Sequence, residues 1–536
     1  MDNITVSWDT TFAILGGASQ SGVMLVHSSA FSSLQQALDF IESQGGGTVI
    51  FDSSSTISST VYIPSRTTLI GDGTSVLTAD PALGFDQVSR CMLLTKSYPN
   101  GTPAFGIRVE NMILDANDAG SAPNNRVHGI VMKMCHDFKV LRNRVRNCTG
   151  YGIWAQGDPN GTPESKFGVI AENFVLNCQV GIETMDAFGI AIRDNSVVCV
   201  PGRTLSGIHP WRSERISVRG NVVEVSGSGF QGAGIDVTNC RHIHFGHNDV
   251  HITGNLASGT ALLIQGDGAG SCSHITCEGG YYYSEGHYAV MIVENIAPAD
   301  FENIAFNGTH IDGRIIGLQL LFNNRRVKHV RVRDSYVKGR STTSQACWGI
   351  WWRDGVQDIS VEGSDVIADG APGNEYPLVK YRAHRLHNNR FDPDPGPIAT
   401  LAVLKNYQAI PSGVYTAIEF DSVQYNAFAG FYLLEPTRLT VPTEVTRVIL
   451  SGQVALSQNQ VGSRGIRLTK NGAAHVPGCA VQQIPSAGDQ VYSVLSVRSP
   501  ILAVKPGDYF ELQAFQDSGN TLNAGPNNTW FAIEPA

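Results

Sequence analysis

The chain has 536 residues, enough for a large core and more than one domain. Only 16% of residues are charged and 57 are glycine, which suits buried strands and tight turns better than amphipathic helices. A net charge of −9 argues against a general nucleic-acid binder. No apolar run approaches the ~18 residues of a membrane span.

Residues 1–30 form a small, polar N-terminal segment. Asp2 and Asp9 stand where a secretory leader is basic, so no signal peptide is visible. From Phe31 the pattern changes. Residues 33–42 carry apolar side chains at helical spacing, with Ser32 or Ser33 as N-cap. Gly45-Gly46-Gly47 ends that helix, Thr48-Val49-Ile50-Phe51 starts a strand, and Tyr62-Ile63-Pro64 and Thr68-Leu69-Ile70-Gly71-Asp72-Gly73 follow. A lone helix here would cover the open end of a stack of strands. This succession resembles the entry to the pectate-lyase-like right-handed parallel β-helix superfamily, which includes phage tailspike depolymerases, polygalacturonases and polysaccharide lyases. The resemblance covers roughly residues 31–392 and implies fold more specifically than reaction.

Further along, Leu114-Asp115-Ala116-Asn117-Asp118 reads as a structural turn. Then one phrase recurs: Gly129-Ile130-Val131, Gly152-Ile153-Trp154, Gly181-Ile182-Glu183, Gly207-Ile208-His209, Gly234-Ile235-Asp236 and Gly349-Ile350-Trp351. Ala261-Leu262-Leu263, Ala289-Val290-Met291 and Gly317-Leu318-Gln319 are weaker copies, and the steps of 23 to 32 residues are those of a solenoid. Each copy alternates, so each is a short strand of one parallel sheet. Behind the glycines runs a second phrase, an Asn before a β-branched residue: Asn143, Asn173, Asn195, Asn221 and Asn248, blurring to Ser335 and Asn389. Asn tolerates left-handed backbone, so it is expected at a sharp corner, and stacked corners can form an amide ladder.

Cys148 and Cys178 precede matching glycines, and Cys135 and Cys240 also match. Stacking inside as small apolar side chains is expected, with disulfides the alternative. The segment 157–163 lengthens one coil and is read as overhanging a groove or as a tolerated insertion. His242, His244, His247 and His251 cluster in one coil without an acidic or cysteine partner, so no metal site is assigned. Arg325, Arg326, Lys328, Arg331 and Arg333 interleave with valines as a solvated strand face.

The β-helix is assigned to 31–397, closing at the stiff Asp392-Pro393-Asp394-Pro395-Gly396-Pro397. Residues 398–536 read as an antiparallel sandwich of short alternating strands, among them 417–420, 430–434, 439–442, 447–452, 466–472, 491–497 and 502–512. Lys470-Asn471-Gly472 and Gly507-Asp508 resemble the tumour necrosis factor and complement-type globular head, a jelly roll. That resemblance implies a homotrimer.

Period two sends Ile130, Ile153, Ile182, Ile208 and Ile235 inward. Outward then stand Val131, Trp154, Glu183, His209 and Asp236, with Lys133, Gln156, Met185, Trp211 and Thr238 two residues on. With neighbouring strands about 4.8 Å apart, Glu183, His209 and Asp236 form a vertical file. Asp186, at the end of the Glu183 strand, offers a second carboxylate. A solvated polar face is the plain alternative. Exposed tryptophans (Trp154, Trp211, Trp351) favour a sugar groove instead, since flat rings stack on sugars; Trp352 falls on the inward phase.

The expected activity is an endo-acting glycoside hydrolase, a depolymerase of bacterial capsular or exopolysaccharide. Glu183 is the acid, Asp236 or Asp186 the base, and Trp154, Trp211, His209, Arg212, Lys133 and Gln156 bind substrate. A lyase using His209 with Arg212 or Lys133, with calcium as a candidate cofactor, is one alternative; a non-catalytic adhesin or tail fibre is the other. The hydrolase needs no cofactor. The expected setting is a virion, through a phage tail or baseplate, or the cell exterior, with neither nucleic acid nor membrane as partner.

Overall fold

This computed structural model describes residues 24–81, 90–96, 102–120, 126–158, 165–227, 230–254, 259–266, 271–294, 301–321, 327–341, 343, 345–352, 359–370, 375–378, 385–387, 389–392, 400–426, 435–441, 445–473, 475–483, 493–526 and 528–536. Most of the N-terminal segment, the tip of the 157–163 connection, Arg325 and Arg326, most of the proline-rich linker, and the expected strand segments 430–434 and 491–492 lie outside the described residues. Two compact units divide the chain, one within residues 1–393 and one within 394–536, with 380–384 grouping with the second.

The first unit is a right-handed parallel β-helix. Sheets of 14, 13 and 12 strands run along it, each taking its strands in chain order, so successive coils add one strand to each sheet. Ile130, Ile153, Ile182, Ile208 and Ile235 pair in one register and are fully buried. The two repeated phrases interlock. A Cβ placed on Gly152 would come within 2.6 Å of Val175 Cγ1, and one on Gly181 within 2.4 Å of Val197 Cγ1. Each recurring glycine thus leaves room for the valine of an Asn phrase, which is why both repeats keep step.

The Asn phrases do form an amide ladder, but its conformation differs from expectation. The left-handed residue is the one before each Asn: Arg142, Glu172, Asp194, Gly220 and His247 all have positive φ, whereas the ladder asparagines do not. Their amides point inward instead. Asn195 Oδ1 accepts from the backbone N–H and the Nδ2 of Asn173 (3.0 and 2.9 Å), while Asn195 Nδ2 donates to Ile170 O (3.0 Å) and Asn221 Oδ1 (2.9 Å). The same pattern links Asn143 to Asn173 and Asn221 to Asn248. Ser335, Ser364 and Asn389 continue it later.

All ten cysteines are buried and free, so the disulfide alternative is set aside. Cys135, Cys240 and Cys272 line a second corner, where Ser213 N–H donates to Cys240 Sγ (3.4 Å) and Cys240 N–H to Cys272 Sγ (3.5 Å). Helix Leu34–Ser43 is N-capped by Ser33, which accepts from Gln36 N–H, and buries Leu34, Ala37, Leu38 and Ile41 against strands Gly47–Phe51 and Val61–Ile63. Arg331 and Arg333 are exposed and alternate with buried Val330 and Val332. Asp115 accepts from Asn117 N–H, Arg146 and Asn147 in a structural turn. Among the described residues no helix is long and apolar enough to cross a membrane.

The second unit is an antiparallel jelly-roll sandwich of eight- and five-stranded sheets around Phe420, Leu450, Phe510, Leu512 and Phe531. The two phrases behind the head-like resemblance meet in it. Asp508 pairs with Lys470 at 2.7 Å and accepts from Asn471 Nδ2 at 2.8 Å.

Truncating one rung of the amide ladder strands donors on its neighbour. Asn195→Ala is expected to lower stability on the order of 3 kcal/mol, read as an earlier urea transition of the β-helix. A change below about 1 kcal/mol would show that the ladder is ornamental.

Candidate active site

The 12-stranded sheet carries the candidate residues. Its strands Tyr151–Gln156, Val180–Met185, Ser206–Trp211 and Ala233–Thr238 place Trp154 opposite Glu183 and Glu183 opposite His209, with Asp236 on the next coil. The file therefore exists, and it is tighter than strand spacing alone requires. His209 Nδ1 lies 3.1 Å from Glu183 Oε2, and His209 Nε2 lies 3.3 Å from Thr238 Oγ1 and 3.9 Å from Asp236 Oδ2. An ionised carboxylate only accepts, so Nδ1 donates to an ionised Glu183.

The face is less open than its polarity suggests. Glu183 is 1% exposed and Asp236 9%, while the His209 side chain keeps 16%. Of the three side chains, His209 is the most open to solvent. Asp236 is held by Gln265 Nε2 (2.9 and 3.1 Å), Thr238 Oγ1 (3.2 Å) and Ser206 Oγ (3.4 Å). Glu183 Oε1 and Trp154 Nε1 are buried without a hydrogen-bond partner.

Trp154 also departs from the expected exposed platform. It packs with Tyr62, Cys91, Leu94 and Val131, and its ring meets His128 at 5.1 Å and Tyr151 at 4.6 Å. Period two says which side a residue takes, not what covers that side. Trp211, like Trp154, is half-buried. Its ring stacks beside His209 (5.9 Å, 10° between planes), and the Arg212 guanidinium lies 4.8 Å from its centroid. Arg212 Nη2 in turn pairs with Asp186 Oδ2 at 2.7 Å. Asp186 and Arg212 both have left-handed backbone (φ 51° and 46°) at the corner that follows the strand, which sets them side by side on adjacent coils.

Lys133 and Gln156 pair with each other, with Gln156 opposite Met185 and Met185 opposite Trp211. Lys133 is therefore three rungs, on the order of 14 Å, from Trp211 and not part of the same cluster. Trp352 is buried, as its inward phase requires. The coil histidines do not converge: His242 stacks on His274, His244 faces Glu278, and His251 faces Asp249. Ser206 and Gln265 are partners that the sequence reading does not name, and Thr238 is one it places on the outward face without a role. Gln265 stands opposite Thr238, a position the register predicts, but its coil carries the weak phrase Ala261-Leu262-Leu263 that hides the repeat.

Burial raises the Glu183 pKa, against the pull of the hydrogen bond and charge of His209. For His209, burial alone would lower the value, yet the Glu183 hydrogen bond and the Asp236 and Glu183 charges carry it above the ordinary imidazole value. The pair therefore holds a proton beyond that pH.

No family model matches the sequence, and no curated protein matches it. Solved structures similar to this chain include the A-module of mannuronan C-5 epimerase AlgE4 from Azotobacter vinelandii, at 15% identity over 68% of this chain and 91% of that one, with a TM-score of 0.44. The surface adhesin PfbA of Streptococcus pneumoniae is similar at 11% identity over 68% and 87%, with a TM-score of 0.47. The catalytic domain of a GH87 alpha-1,3-glucanase is similar at 14% identity over 70% of each chain, with a TM-score of 0.38.

Removing the Glu183 charge should release His209 to the effect of its burial. In Glu183→Gln the imidazole is expected to titrate at lower pH than in the native protein, as followed by NMR of the ring. An unchanged value would mean that Glu183 does not hold the proton.

Proposed function

We propose that the protein binds a polysaccharide across the 12-stranded sheet and cleaves it there by glycosidic hydrolysis. The observation that carries this reading is His209, half-enclosed between two carboxyls and beside a half-buried tryptophan. A sugar ring seated on Trp211 has His209 on one side and the Asp186–Arg212 pair on the other. Asp186, the proposed base, is held by Arg212 at the corner that follows the strand, so the acid and the base are set to either side of Trp211.

The proton donor is His209. Glu183 accepts from its Nδ1, and Asp236, fixed by Gln265, Thr238 and Ser206, favours the imidazolium from the other side. Nε2 exchanges its contact with Thr238 Oγ1 for the leaving oxygen and delivers its proton there as the glycosidic bond breaks, and the two carboxylates steady the ring. Asp186 takes a proton from the attacking water. Arg212 keeps that carboxylate in place and offers its remaining N–H groups to sugar hydroxyls. Glu183 and Asp236 are positioning residues in this scheme.

A second reading, glycan gripping without cleavage, is favoured by the burial of both file carboxyls. Trimeric assembly through the head-like unit, outside the cell or on a virion, belongs with either reading.

A panel of bacterial exopolysaccharides separates the two. New reducing ends without absorbance at 235 nm are expected; absorbance at 235 nm would indicate β-elimination, and binding without products would leave the gripping function. Asp186→Asn should lower kcat about 10³-fold with little change in KM. Activity that requires protonated His209 is present below its raised pKa and lost as pH rises through it. In Glu183→Gln that falling limb should move to lower pH, and a limb that stays put would remove His209 as the donor.

A further inference from the structure

One corner beyond the 12-stranded sheet, the two-residue strands Ala104–Phe105, Cys135–His136, Ser165–Lys166 and Ala187–Phe188 form a small sheet of their own. Its outward file is Phe105, His136, Lys166 and Phe188, continued by Glu214 and Arg241 through single bridges. The residue after each takes left-handed backbone: Gly106, Asp137, Phe167, Gly189, Arg215 and His242. Glycine, aspartate and polar residues suit that conformation; a bulky aromatic does not.

Phe167 is nevertheless there, at φ 55° and 61% exposed. It carries two costs, strained backbone and an apolar ring largely in water. Strain of this kind marks functional positions. The ring is seated: it lies against Gly189, where an added Cβ would come within 3.1 Å of Phe167 Cδ1. It also meets Phe188 edge to face at 5.9 Å. Phe105, 44% exposed, lies two coils away in the same patch.

Cations surround these rings. The Arg66 guanidinium is 5.0 Å from the Phe105 centroid, Arg215 is 5.2 Å from that of Phe188, and Lys166 Nζ is 5.9 Å from Phe188. Arg66, Lys166, Arg215 and Arg241 against Asp137 and Glu214, the last 3.9 Å from Arg215, give four positive and two negative charges, a local balance of +2 on a chain of net charge −9. The exposed Phe167 ring offers a face for the apolar side of a sugar, and the cations over the neighbouring rings stand ready for carboxylates, the features an acidic polysaccharide requires.

We propose that this corner is a second glycan-binding surface, for an acidic polysaccharide strand, with Phe167 as its central contact and Lys166 and Arg215 as its carboxylate partners. The surface lies one corner beyond the His209 file, its Phe188 standing two residues after Asp186, and does not depend on whether that file cleaves its ligand.

Titration calorimetry with hyaluronan fragments, and with dextran of matched length as the neutral probe, tests this. Phe167→Gly removes the ring and suits the left-handed backbone, so it should melt no lower than the native protein while binding hyaluronan about fivefold more weakly. Lys166→Glu with Arg215→Glu should weaken hyaluronan binding further, and added salt should shrink that difference. Dextran binding should be the same in all variants. Absence of hyaluronan binding by the native protein, unchanged affinity in Phe167→Gly, or equal loss for dextran would overturn the proposal. A change of oligomeric mass in Phe167→Gly would also overturn it, assigning the patch to a second copy of the chain.

Discussion

Everything in the first unit depends on coils staying in register, and a buried line of amides enforces that. Each ladder Asn accepts from the coil before it and donates to the coil after it. A coil that slipped by one residue would leave buried donors unpaired and would turn every inward isoleucine outward. Sequence-distant side chains can then be trusted to lie one rung apart. Glu183, His209 and Asp236 meet because the amides on a different face of the coil allow no other alignment.

That dependence explains what could be read in the sequence. The glycine and Asn phrases are visible because each is a packing requirement: glycine where the valine of an Asn phrase presses in, Asn where a backbone N–H needs an acceptor. Inward and outward phases follow from period two, so the isoleucine core and the file were legible. Which residue bends the corner was not. The left-handed position falls to Arg142, Glu172, Asp194, Gly220 and His247, whose identities share no feature, while Asn drew attention through its side chain. Cover was also not legible. Glu183 has the outward phase of His209 but is buried, and only the packing of several coils decides that.

The file shows how burial and pairing share control of a proton. Glu183 is enclosed enough that charge on it is costly, and His209 is enclosed enough that its own charge is costly too. Each makes the other's charged form tolerable. Asp236 adds to this through a carboxylate saturated by three side-chain donors. The imidazole, with its partial opening to solvent, is the outlet of an otherwise closed network.

The stacked cysteines carry a consequence for where such a molecule can persist. Burial pushes the thiols of Cys91, Cys135, Cys199 and Cys277 up, that of Cys272 up to about 12 and that of Cys347 up to about 11. Peroxides, alkylating agents and foreign disulfides react with thiolate, and at neutral pH these positions supply almost none. Passage from a reducing interior to aerated surroundings would leave the covalent state of these thiols unchanged.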